Sequence, residues 1–131
     1  MEQPQYLIDT NAVIDYLGRK LPEKGMNFIS AVMDKMPQVS VVTKIEVLGF
    51  NAPEEYYQLL ISFMNDVNVL DLTSKVVDIS IELRKKYRTK LPDAIIAATA
   101  LAYNYTLITN DEKDFYHIEN LKIINPYKLT D

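Results

Sequence analysis

Short apolar runs alternate along the chain with longer amphipathic stretches, and capping or turn residues separate them. Tyr6-Leu7-Ile8 is the first run. Its length and apolar content read as a buried strand, and it ends at Asp9. Asp9, Thr10 and Asn11 supply capping chemistry for a short helix over residues 12–17, which Gly18 can close. Pro22 and Glu23 open a second helix to about Met33, and Pro37 breaks the pattern. Residues 39–42 read as a second strand. Thr43 then stands as an N-cap with Glu46 three positions later, the spacing of a capping box, so Glu46 is expected in the first turn of a helix running toward Phe50. Pro53 begins a further helix to about Met64, and residues 67–70 form a third strand. Thr73 or Ser74 caps a long amphipathic helix reaching Lys86, with Val76, Val77, Ile79, Ser80 and Leu83 on its inner face. Leu91-Pro92-Asp93 starts a very apolar helix over 94–103. Its small residues Ala94, Ala97, Ala98 and Ala102 allow close backbone approach and mark it as the central buried helix. Residues 106–109 are a fourth strand ending at Asn110-Asp111. A polar turn anchored by Phe115 follows, and 121–124 is the last strand. Strands alternating with helices predict an α/β three-layer sandwich with a central, mostly parallel sheet of about five short strands, in one domain spanning 1–131.

Composition narrows the field. The 131 residues are 48% hydrophobic and 24% charged, enough for one domain with its own core. Cysteine is absent, which excludes disulfides and thiolate metal sites. MEQPQYLIDT has neither the basic flank nor the apolar run of a secretory leader, and no apolar stretch approaches the ~18 residues of a membrane span. A cytoplasmic protein without membrane contact is expected. The net charge of −4 argues against gripping nucleic acid through bulk positive charge. It leaves open nucleic-acid chemistry at a site where bound cations reverse the local sign.

Asp9, Glu46, Asp93 and Asp111 carry the candidate chemistry. Taken singly, Asp93 reads as a helix-start residue after a proline, Glu46 as a capping-box partner, and Asp9 and Asp111 as turn formers. Taken together, all four fall at strand ends or helix starts. In an open α/β sheet those positions converge beyond the carboxyl ends of the strands. Carboxylates gathered in one cleft repel each other unless cations sit among them. Mg²⁺ and Mn²⁺ take such hard oxygen ligands, and a cation held there can activate water against phosphorus. Asp114 reads either as a further ligand or as a cap of the Phe115 turn. Thr10, Asn11, Thr43 and Thr109 adjoin the acids and can orient them or touch phosphate, or act as local caps. Tyr16, one helical turn past Asn11, is a candidate for base stacking, with Arg19 and Lys20 as phosphate contacts. Arg84, Lys85, Lys86, Arg88 and Lys90 lead to Asp93, either as RNA contacts or as a solvated helix end. His117 is the sole histidine, expected on the surface, so neither a zinc pair nor histidine-based acid–base catalysis is supported.

Four segments, YLIDTNAVIDYL, VVTKIEVLGF, KLPDAIIAATA and LITNDEKDF, resemble in order the signature segments of the PIN-domain family, and most of all its VapC-type toxins. Together they run from Tyr6 to Phe115. The resemblance implies a metal-dependent endoribonuclease, with the family's acids at Asp9, Glu46, Asp93 and Asp111 and its last-motif threonine at Thr109. Many relatives carry Asn at the place of Asp111 and an Asp at that of Asp114. One or two Mg²⁺ or Mn²⁺ ions are therefore expected among these five carboxylates. The resemblance also implies a homodimer and a small antitoxin that covers the cleft. The apolar positions of 26–36 and 52–63 could form such a docking or dimer surface, or could be core.

Three other readings compete. An RNA-processing or flap-type nuclease differs in substrate. A CheY-like or HAD-like phosphoryl-transfer protein also places acids at strand ends, but the first strand here lacks the paired acids those would carry. An inactive PIN-like interaction protein would not need the four acids.

Overall fold

The computed structural model describes residues 5–129, so the start of the N-terminal stretch MEQPQYLIDT lies outside the described residues. Five strands, β1 (Tyr6–Ile8), β2 (Gln38–Ser40), β3 (Asn68–Leu70), β4 (Thr106–Ile108) and β5 (Ile123–Ile124), form one sheet in the order β3-β2-β1-β4-β5. Every pairing is parallel. The chain thus steps outward from β1 through β2 to β3, then crosses back to place β4 on the other side of β1. Because crossovers between parallel strands are right-handed, this reversal puts the helices of the two halves on opposite faces.

Side-chain alternation along the strands shows both faces covered. Ile8, Val39 and Ile108 join the core built with helices α1 (Thr10–Leu17), α2 (Glu23–Met33), α3 (Val41–Leu48) and α4 (Glu54–Asp66). Leu7 and Leu107 point the other way, into the core built with α5 (Ser74–Lys86), α6 (Leu91–Tyr103) and Phe115 of the short α7 (Glu112–Phe115). The result is the expected three-layer α/β sandwich with a parallel five-stranded sheet. Apolar residues of 26–36 and 52–63 supply much of the first core: Ile29, Val32, Leu60 and Phe63 are buried, while Met36 and Leu59 stay exposed.

Several local expectations need correction. The second strand stops at Ser40, and Val41 and Val42 already belong to α3. Ser40, not Thr43, is the N-cap: its hydroxyl accepts from the Val42 N–H at 3.1 Å. Two valines favour a strand by side-chain preference, but the cap hydrogen bond and the packing of Val47 hold them in the helix. Thr43 is instead fully buried inside α3, and Glu46 lies beyond its first turn. On α5, Val76, Ser80 and Leu83 face the core as expected, but Val77 is exposed. Finally, the polar turn before Phe115 contains the helical turn α7.

After β5 the chain folds back against α2, where Gly25 lies under Pro126. A Cβ on Gly25 would sit 2.2 Å from the Pro126 carbonyl oxygen. Gly25→Ala would gain about 1 kcal/mol of helix propensity. It would also force the two backbones apart, and overpacking of this kind costs typically ~1–3 kcal/mol. We expect a net loss of stability, measured by denaturant unfolding; an alanine variant as stable as the parent would show that the 125–128 segment is not seated there.

Candidate functional site

The reversal of strand order falls between β1 and β4, and a crevice opens at their carboxyl ends, where ligands of open α/β sheets bind. Ile8 pairs with Ile108, so the residues that follow, Asp9 and Thr109, emerge side by side. A cleft of about 230 Å³ there is lined by Asp9, Thr10, Asn11, Glu46, Lys90, Pro92, Asp93, Asp111 and Asp114. Five carboxylates from separate parts of the chain therefore share one concavity.

Each acid is held by a different device. Asp9 caps α1 and is only 4% exposed. Its Oδ1 accepts from the Thr10 N–H at 2.8 Å, and its Oδ2 from the buried Thr109 hydroxyl at 2.8 Å. The Thr109 oxygen in turn accepts from the Asp111 N–H at 3.0 Å, so one hydroxyl ties two of the acids together. Asp111 Oδ2 accepts from Asn11 Nδ2 at 2.7 Å, and the Asp111 carbonyl accepts from the Asp114 N–H at 3.0 Å. Glu46 Oε1 accepts from the Thr10 hydroxyl at 2.6 Å, which also lies 3.1 Å from the Thr43 hydroxyl. Asp93 sits in the first turn of α6, close to Lys90.

The electrostatics register the crowding. Burial raises the Asp9 pKa to about 7. Thr109 and the Thr10 N–H offset part of this, and Asp111 and Asp93 push it further up. Burial also raises Asp93 to about 6, with Asp114, Glu46 and Asp111 adding to the rise and Lys90 opposing it. The acids thus sense one another across the cleft.

Oxygen donors alone, from Asp, Glu, Asn and Thr, make a hard set that suits Mg²⁺ or Mn²⁺ and not a soft metal. Among the described residues no three acidic side chains are gathered closely enough to form a ready-made coordination shell. Glu46 and Asp111 are instead turned onto Thr10 and Asn11. The residues fit a hard divalent cation in kind.

The remaining candidates divide. Thr10 and Asn11 line the cleft, and Thr43 and Thr109 support it from the buried side. Tyr16 is not among the lining residues: its hydroxyl bonds Ser30 on α2 at 3.0 Å, and its ring packs on the core. Arg19 and Lys20 are exposed beyond the far end of α1. Of the basic run, Lys90 reaches the cleft, Arg88 is exposed outside its lining, and Lys86 pairs with Glu119 at 3.0 Å. His117 is exposed and stacks edge-on against Tyr87. The sequence reading missed Asp15, which accepts from Asn110 and Tyr127. The available signal was its place one turn after Asn11 on the same helix face.

The profile of the PIN domain matches residues 6–121, nearly the whole chain. The chain belongs to the PIN-domain family. PIN-family structures from toxin–antitoxin complexes share its fold. A toxin–antitoxin complex from Klebsiella pneumoniae is 28% identical, with 95% of this chain and 100% of that one covered at a TM-score of 0.74. VapBC-1 from nontypeable Haemophilus influenzae is 26% identical over 94% and 98% of the two chains, also at 0.74. DNA-bound VapBC from Salmonella typhimurium, at 20% identity and a TM-score of 0.81 over 95% and 99%, shares the fold. No curated protein matches. Among the described residues no helix of this PIN domain is long and apolar enough to cross a membrane.

Proposed function

We propose that this PIN domain is a metal-dependent endoribonuclease and the toxin of a toxin–antitoxin pair. The observation that carries the reading is the convergence of Asp9, Glu46, Asp93, Asp111 and Asp114 in one crevice at the sheet's switch point. A bound Mg²⁺ or Mn²⁺ would supply a Lewis acid and an activated water for in-line attack on phosphorus. Asp9, pinned by two donors, is the fixed ligand, and Asp93 and Asp111 flank it. Glu46, exposed and held by a single hydroxyl, is the ligand free to swing in. Asn11 and Thr10 orient Asp111 and Glu46. Lys90, at the rim, offers a cation to a substrate phosphate. Asp114 joins either as a ligand or through an ordered water.

The similar structure from Klebsiella pneumoniae is a toxin–antitoxin complex, which supports a small neutralising protein as partner. The resemblance also supports a homodimer. Leu72, Val77, Ile81 and Leu91, exposed around a groove between α5 and α6, provide apolar surface for it.

No histidine lines the cleft, so the arrangement favours attack by water over attack by the RNA's own 2′-hydroxyl. Cleaved RNA should carry 5′-phosphate and 3′-hydroxyl ends, and EDTA should abolish cleavage. End-group analysis that found 2′,3′-cyclic phosphates, or activity undiminished in EDTA, would overturn the hydrolytic metal route.

A further inference from the structure

The loop after β4 carries Thr109 and Asp111, two members of the cleft, with Asn110 between them. Thr109 and Asp111 are held by bonds within the cleft. Asn110 is held from outside it: its Nδ2 donates to Asp15 Oδ2 at 3.1 Å. Its Oδ1 is buried and has no partner among the described residues. Rotating the amide to satisfy that oxygen would aim it at the Asp15 carboxylate, so Asp15 alone sets how this side chain sits.

The same Asp15 oxygen accepts from the Tyr127 hydroxyl at 2.9 Å. Tyr127 belongs to the segment after β5, which is held in turn by Asn125 Nδ2 donating to Glu112 at 2.8 Å, by the Lys128–Glu112 pair at 2.7 Å and by Pro126 over Gly25. Asn11 and Asp15 lie one turn apart on α1 and hold two consecutive loop residues, Asp111 and Asn110.

We propose that Asp15 is a positioning residue for the carboxylate cleft. Through Asn110 it fixes the loop that presents Thr109 and Asp111, and Tyr127 clamps it in place. Asp15 itself does not line the cleft. The inference rests on the metal-site reading above, since its meaning is how well that site holds a cation.

The test is Mn²⁺ affinity of the full chain, measured by calorimetry without RNA. Asp15→Ala should weaken binding about tenfold, the lower end of what losing an outer partner of a metal site costs. Asp15→Asn keeps an acceptor oxygen and should retain affinity within about threefold. A residue that acted only by its charge would lose as much affinity in Asp15→Asn as in Asp15→Ala, and that result would overturn the proposal, as would wild-type affinity in Asp15→Ala. Should Asp15→Ala not fold, Asn110→Ser removes the same bond from the loop side and is judged by the same tenfold criterion. Asp9→Asn separates the two readings. If it abolishes Mn²⁺ binding while Asp15→Ala leaves it unchanged, the site stands and the positioning role falls. If the wild-type chain binds no Mn²⁺, both fall.

Discussion

Asp9→Asn and Asp93→Asn should each lower the rate of RNA cleavage by at least ~10²-fold, the scale of losing one strong electrostatic contributor. Asp9 is the sharper case. Its two oxygens are fixed by the Thr10 N–H and the Thr109 hydroxyl, so Asn can keep the shape and one of the two bonds while losing the charge. Asp93 lies in the first turn of a helix whose start has no side-chain cap hydrogen bond, so Asn at that position takes no cap away. Lost activity in a variant with unchanged circular dichroism therefore reports on charge and not on folding. Single-turnover cleavage of a labelled RNA at saturating Mg²⁺ or Mn²⁺ is the measurement. A fully active Asp9→Asn protein would remove the metal-dependent mechanism.

The second large effect is on stability, and its sign follows from burial. In EDTA the folded-state pKa of Asp9, about 7, stands above the 3.8 of an ordinary aspartate. Between those values the folded chain binds the proton that the unfolded chain releases. Asp9 thus contributes most to stability below about pH 4 and loses that contribution as pH rises through about 7. That rise in pKa corresponds to about 4 kcal/mol at full ionisation. Asn at position 9 sheds this burden but leaves one Thr109 bond unmade, at about 1 kcal/mol. The Asp9→Asn chain in EDTA should therefore be the more stable protein at pH 8, by about 2–3 kcal/mol, and should lose that advantage toward pH 4. Mg²⁺ or Mn²⁺ should stabilise the wild type at pH 8 and leave Asp9→Asn unmoved, because a ligand that binds only the folded state adds to its stability. Thermal unfolding of both proteins across this range is the check. Parallel pH curves for the two chains would show that the Asp9 carboxyl is not desolvated as its 4% exposure implies.

The two halves of this site differ in how far the chain alone disclosed them. Asp9 and Asp93 stood out because a strand end and a proline-led helix start are written in neighbouring residues. Glu46 was placed by a capping box that does not form, since Ser40 captures the helix start three residues earlier. Its arrival in the cleft depends on Thr10, 36 positions away. The Asn11–Asp111 and Thr109–Asp9 bonds each join residues 100 positions apart, and Asp15 meets Tyr127 across 112. No local signal marks such pairs.

Periodicity and capping between close neighbours disclosed five short strands separated by helices and acids standing where strands end, but not where the second strand gives way to α3 or that α7 forms. Only the packed fold sets β1 and β4 side by side, buries Asp9 while leaving Glu46 exposed, and brings Tyr127 of the segment after β5 onto Asp15. Those outcomes depend on which surfaces pack after the chain reverses direction across the sheet, and packing between distant segments is set by the whole chain.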